Sequence, residues 1–396
     1  MNTRGPFPDF SSPFWENIDA QVIASEDLVS KIHTIELLEQ LSPFRGHTDQ
    51  FFQRVWRSID DLQRYPEVKP EWLTAALVVF GNALYFPQAL LDDAWRSLYI
   101  EMVQAERSGL TPDEFDFQIF ENDPSGMGPA FCHLNRLQGR LDYERYPRVA
   151  STDELADLLL DFLNPLKRAD AAVTARRLFS KHVWAILVDK TLSGHSLSSD
   201  IDRLLCAYKL ACRAGRTPPR IVVLCQVMTD AAERILVKTI SEACERYTII
   251  GDPPVKYHRA IFLDRRHNIT AEDTALINDK RLIRHIRDLS RWFASSFIAR
   301  DRDFDRMRER SGDDLRFGYR GCGLTISDYD NCPTDSLPLL WYLSETDPAP
   351  YRGPYVRIHS RIGPQLTSRS IDKWNSILGE PKIVEELARA FREQNG

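Results

Sequence analysis

The apolar run Val183-Trp-Ala-Ile-Leu-Val188 leads directly into Asp189-Lys-Thr-Leu-Ser193-Gly194-His195-Ser196, and a segment with apolar residues at helical spacing follows. An uninterrupted apolar run reads as a strand covered on both faces, as in the parallel sheet of an α/β fold. The order strand, small-residue turn, helix commits the middle of the chain to a strand–helix crossover. A turn of this kind aims backbone N–H groups outward at a helix N-terminus, where the dipole adds partial positive charge, so an anion such as phosphate suits it. The same residues also make an ordinary structural turn in which Ser193 or Ser196 caps the helix. The residues alone leave both readings open.

The flanking pattern agrees with an α/β domain. The spacing predicts a helix over 197–213, with Leu197, Ile201, Leu204, Leu205 and Tyr208 on one face. A continuous apolar strand over 220–226, a helix over 230–245 and strands over 247–250 and 260–263 come next. Ligands of such sheets lie beyond the carboxyl ends of the strands, which is where residues 189–196 fall. The loop has neither the Gly-x-x-x-x-Gly-Lys-Ser/Thr spacing of a Walker loop nor the Gly-x-Gly-x-x-Gly of a dinucleotide loop.

An acid at the strand end followed by hydroxyls and a glycine resembles the loop with which type I phosphoribosyltransferases hold phosphoribosyl pyrophosphate. A second segment strengthens the resemblance: Phe317-Gly318-Tyr319-Arg-Gly321-Cys-Gly323, then Asp330-Asn331-Cys-Pro333-Thr-Asp335-Ser-Leu-Pro338-Leu-Leu-Trp341. It looks like the closing signature of a divergent phosphoribosyltransferase-like family of effectors in bacterial conflict and antiviral defence systems, retrons among them. The resemblance spans residues 120–360. It implies an α/β phosphoribosyltransferase-like core, a mostly parallel sheet flanked by helices. It further implies that Asp189 is the catalytic acid, holding the ribose diol or a water on Mg²⁺, and that Lys190, Thr191, Leu192, Ser193, Gly194, His195 and Ser196 bind the substrate. The family has two adjacent acids before its turn. Val188 stands in the first of those positions, so one acid is missing here.

Two further groups of residues follow from the same resemblance. The small-residue loop Ser125-Gly126-Met127-Gly128 corresponds to the family's pyrophosphate loop, and Arg136 and Arg140 just beyond it add positive charge. Read without the resemblance, it is a linker. Asp330, Asn331 and Asp335 are candidates for contacts to a base or a partner, while Asx residues there also form turns.

From residue 1 to about 107 the chain reads as helices over 25–41, 48–64, 71–85 and 88–107, punctuated by Pro43, Pro66, Pro70 and Pro87. An all-helical or winged-helix N-terminal module fits. The expected organisation is residues 1–112 as this module, for partner or nucleic-acid binding, 113–345 as the phosphoribosyltransferase-like domain, and 346–396 as an extension ending in a helix. A predicted helix over 275–310 carries Arg281, Arg284, Arg287 and Arg291 in one sector opposite Leu282, Ile286, Leu289 and Phe293. That stripe is either a solvated helix face or a surface for RNA, DNA or an acidic partner.

At 396 residues the chain suits two domains, and a net charge of −6 argues against a general nucleic-acid coat. The seven cysteines lack CxxC spacing, and Cys206 and Cys225, which sit in apolar runs, read as buried reduced thiols. No apolar run has bilayer length and the start lacks an apolar signal core, so a cytoplasmic protein with no membrane contact is expected. Three functions fit: a phosphoribosyltransferase-like antiphage effector acting at ribose C1 on phosphoribosyl pyrophosphate or a nucleotide, with Mg²⁺; an inactive nucleotide-binding sensor or scaffold; or a nucleic-acid-binding regulator acting through the N-terminal module. Partners implied by the resemblance are the proteins of a defence operon, a reverse transcriptase and its RNA or DNA among them, and an oligomer is compatible.

Overall fold

The computed structural model describes residues 19, 21, 27–41, 50–107, 109–111, 115–121, 127–135, 137, 152–301, 304–305, 315–329, 332–344, 350–355, 374, 376–377 and 379–393. They divide into two compact units, residues 1–90 with 264–360 and residues 91–263 with 361–396. The cuts expected at 112/113 and 345/346 each fall inside a unit. Among the described residues no helix is long and apolar enough to cross a membrane.

The first unit contains helices α1 (Leu28–Leu41), α2 (Phe51–Gln63) and α3 (Pro70–Gly81), strand β1 (Leu84–Phe86), and the opening residues of α4 (Gln88–Glu106). The expected helical N-terminal module is therefore present. The helix read over 71–85 stops at Gly81, and its last residues form β1, which pairs in parallel with the later strand β6 (Ile326–Asp328). One apolar core joins Phe80 and Val79 of α3 to Ile283, Ile286 and Phe293 of a long helix from much later in the chain. Helix α2 carries a polar line facing the chain at 352–354. Arg54 Nε donates to the Pro354 carbonyl at 2.8 Å, the Ser58 hydroxyl to the Arg352 carbonyl at 2.6 Å, and Asp61 accepts from the Arg352 N–H at 3.2 Å. Spacings of four and three place these side chains on one helical face.

The second unit is a four-stranded, all-parallel sheet, in the order β2 (Phe117–Glu121), β3 (Val183–Thr191), β4 (Arg220–Thr229) and β5 (Val255–Leu263). Helices α5 (Met127–Leu134), α6 (Thr152–Asp161), α7 (Arg168–Phe179), α8 (His195–Arg213) and α9 (Asp230–Arg246) lie between the strands in sequence. Both faces of β3 are covered, as its unbroken apolar run requires. Trp184, Ile186 and Val188 share a core with α6 to α9, and Val183, Ala185 and Leu187 share another with α4 and α5. This is the phosphoribosyltransferase-like α/β arrangement expected, a parallel sheet flanked by helices.

Two strand expectations change. Residues 247–250 are a turn after α9: Thr248 has a left-handed φ of 53° and Ile250 is 93% exposed. The strand read at 260–263 instead starts at Val255; only Val255 and Leu263 are buried along it, and β5 is an edge strand of the sheet. The terminal helix α12 (Pro381–Arg392), numbered after α10 (Lys280–Ser296) and α11 (Pro338–Trp341) of the first unit, docks on its own unit through Ile383, Leu387 and Phe391. Phe391 meets Phe179 edge to face at 5.6 Å. Trp341 and Tyr342 are core residues.

Glu106 closes the end of α4. Its buried carboxylate accepts from Arg220 Nη1 at 3.0 Å through Oε2, and its Oε1 lies 2.7 Å from Lys256 Nζ as an ion pair. Burial pushes this carboxyl up, but the hydrogen bonds and charges of Lys256 and Arg220 outweigh it and hold the group below the ordinary glutamate range. A folded value below the unfolded one stabilises the protein above the unfolded value and is lost as pH falls through the folded value. Glu106→Gln is expected to flatten the acid limb of a plot of unfolding midpoint against pH between about pH 5 and pH 3. A limb of unchanged slope would count against this linkage.

Candidate functional site

Strand β3 delivers the loop at residues 189–196 to the carboxyl edge of the parallel sheet. Val188 is fully buried among the helices, so an acid at that position would be a desolvated charge in an apolar core. Valine therefore suits the position. Asp189, next along the strand, is 44% exposed. Its Oδ1 accepts from the Lys190 N–H at 2.6 Å and its Oδ2 lies 3.1 Å from Lys190 Nζ. Lys190 thus partly neutralises the one acid of the loop.

Beyond Asp189 the chain turns inward and then out. Thr191 is buried and its hydroxyl has no hydrogen-bond partner among the described residues. The Leu192 side chain is buried, and its carbonyl accepts from the Thr229 hydroxyl at 2.6 Å. Ser193 and His195 are half-buried and Ser196 is exposed.

Gly194 starts α8 with a left-handed φ of 78° and no side-chain cap. A Cβ there would sit 3.0 Å from both Cα and the carbonyl oxygen of Ala232. The Gly194 carbonyl accepts from the Ser198 N–H at 3.0 Å and from its hydroxyl at 2.7 Å, so the helix ladder begins at Gly194. An uncapped helix start flanked by hydroxyls at a strand's carboxyl end is an anion-binding geometry.

Thr229 is a residue that sequence reasoning missed. It caps α9 by accepting from the Ala232 N–H at 3.0 Å while donating to Leu192, and so pins the loop to the neighbouring strand–helix junction. A threonine and an acid opening the helix at 229–230 are the signal that a cap sits there. Glu121 is another: this buried residue at the end of β2 pairs with Leu187 and accepts from the Gly128 N–H at 2.6 Å. The chain between them includes Ser125 and Gly126, which lie outside the described residues, as do Arg136, Arg140, Asp330 and Asn331. Asp335 belongs to the first unit, where Cys322 Sγ approaches it at 3.6 Å.

Among the described residues no three His, Cys, Asp or Glu side chains group as a metal cage. Asp189 is a single, half-exposed carboxylate with lone pairs to spare. It fits a cation carried in on the oxygens of a diphosphate and met through water, since Mg²⁺ keeps several waters of its own.

A family model described as PRTase-CE matches residues 76–355, from within α3 to the segment clipped by α2. No curated protein and no solved structure matches the chain.

Proposed function

The chain belongs to the PRTase-CE family, and on that premise we propose that the loop at 189–196 binds a ribose 5-phosphate, as phosphoribosyl pyrophosphate or a nucleotide, and supports displacement at ribose C1. The observation that carries the reading is the uncapped start of α8 at Gly194, with Ser193 and Ser196 beside it at the carboxyl edge of a parallel sheet. The helix start and the two hydroxyls hold the phosphate, and Asp189 holds the ribose diol. With both ends fixed, C1 is oriented for in-line attack as its bond to the diphosphate oxygen breaks and the bond to the acceptor forms. Mg²⁺ would neutralise charge on the departing diphosphate, and Asp189 is the residue that would hold it through water. We place this chemistry in an effector arm of a bacterial antiphage system, acting with operon partners such as a reverse transcriptase and its nucleic acid. The resemblance of residues 317–341 to such effectors supports that setting.

A sensor that binds the same ligand without turnover is the second reading. It is favoured by Val188 in the core and by the pairing of Asp189 with Lys190. Calorimetric titration with phosphoribosyl pyrophosphate and Mg²⁺ is expected to show binding that Ser193→Ala/Ser196→Ala weakens by at least about 100-fold, because two hydrogen bonds to a charged group contribute about 1.5–3 kcal/mol each. No heat from the wild-type protein would remove the ribose-phosphate reading. Asp189→Asn separates the two versions: toxicity lost with binding retained indicates transfer, and toxicity unchanged indicates a sensor.

A further inference from the structure

Helix α10 carries an arrangement of charge that folding does not call for. Lys280, Arg284, Arg287 and Arg291 recur at spacings of four, three and four, which lines them along one side of the helix with one cation per turn over about 16 Å. Arg281 adds a fifth beside them and is 65% exposed, and Arg291 is 50% exposed. The opposite face holds Leu282, Ile286, Leu289 and Phe293 in the core of the first unit. Within the helix only Asp288 is acidic, and it pairs with Arg291 at 2.9 Å.

Two features oppose helix stability. Like charges three and four residues apart repel. Lys280 and Arg281 also fill a first turn that contains no acid, while the last turn contains no base. The helix dipole favours the reverse placement. The chain as a whole is acidic, with a net charge of −6, so the stripe is a local concentration and not a reflection of overall composition.

The neighbours add chemistry to the charge. The Arg291 guanidinium stands over the Phe317 ring, 5.9 Å from its centroid, and the ring is half-buried against the core. Arg287 is held in place by the Thr270 carbonyl, to which its Nε donates at 2.7 Å, and faces Glu272 at 3.5 Å. A row of cations at one per turn that ends in a guanidinium seated over an aromatic ring matches what single-stranded nucleic acid requires, namely charge along the backbone and a planar cation for a base.

We propose that this side of α10, with Phe317 at its end, is a docking surface for single-stranded nucleic acid. The proposal stands independently of the ribose-phosphate reading, because it concerns the first unit and none of residues 189–196.

Fluorescence anisotropy of the full chain with fluorescein-labelled 20-nucleotide single strands of DNA and RNA tests it. Binding is expected at 50 mM salt, with log K falling against log salt at a slope of about −2 to −3, as three or four phosphate contacts on a single strand require. Arg284→Glu/Arg291→Glu, both at exposed positions, is expected to weaken binding at least 10-fold and to flatten the slope, with an unchanged circular dichroism melt. Ser193→Ala/Ser196→Ala is expected to bind the oligonucleotides as wild type does. The proposal is overturned by an absence of anisotropy change at 50 mM salt, by unaltered affinity in the folded charge-reversal variant, or by equally tight binding of polyglutamate, which would assign the stripe to an acidic protein.

Discussion

Arg54→Ala is expected to lower the unfolding free energy by about 3–5 kcal/mol, the range for removing one partner of a buried ion pair. The guanidinium meets both oxygens of Glu39, at 2.6 and 2.7 Å, and donates through Nε to the Pro354 carbonyl. The two side chains are 4% and 9% exposed, so water cannot replace the lost partner. Burial already pushes the Glu39 carboxyl up, and the Arg54 charge and hydrogen bond pull it back only in part. Without Arg54 the carboxyl rises further and takes up a proton more readily. A folded value above the unfolded one gives stability that is full below the unfolded value and is lost as pH rises through the folded value. The variant widens that window, so the deficit should be larger at pH 8 than at pH 5. Urea unfolding at the two pH values measures it. A deficit under about 1 kcal/mol at both would mean that the pair is solvated and that residues 352–355 are held by other contacts.

Gly194→Val should abolish ribose-phosphate binding and destabilise the second unit by several kcal/mol. A β-branched residue at a φ of 78° carries a backbone cost of about 1–2 kcal/mol. Its Cβ would also press on the Ala232 backbone at 3.0 Å and on Ile235 Cβ at 3.2 Å, where neither neighbour is a flexible side-chain end. Relief requires α8 and α9 to separate, which pulls Leu192 from Thr229 and dismantles the turn. Gly194→Ala has the same backbone problem with less bulk and should give an intermediate loss. Thermal melts and calorimetry of the two variants check the order. A valine variant that melts and binds as wild type would show that the turn has another conformation within reach and that the glycine is not what shapes the site.

The parts of the molecule that can be read from sequence are those whose signal is local. β3 and β4 announce themselves as continuous apolar runs, α8 and α9 by helical spacing, and Ser193-Gly194-His195-Ser196 announces a helix start through its turn chemistry. β1 has three residues and was legible only as the end of a helix. It becomes a strand because Ile326, Ser327 and Asp328 come to lie beside it. Residues 247–250 look like a strand in composition, yet Thr248 turns left-handed there after the helix and Ile250 points into solvent. Similarly, α10 was legible as amphipathic, but the stretch at 275–279 before it is not helical, and Asp279 caps the start by accepting from the Arg281 N–H at 2.7 Å.

By itself, then, the sequence determined that the chain contains an α/β pattern with a strand at 183–188, a small-residue turn and a helix after it, because uninterrupted apolar runs, helical spacing and turn residues act within a few positions. Tertiary structure alone decided that α10 and residues 352–355 complete the N-terminal helical unit, that Val188 excludes an acid, and that Thr229 pins the loop. Each of these depends on which distant segments bury one another. That choice is made by the summed burial and hydrogen bonding of the whole chain, and no window of sequence contains it.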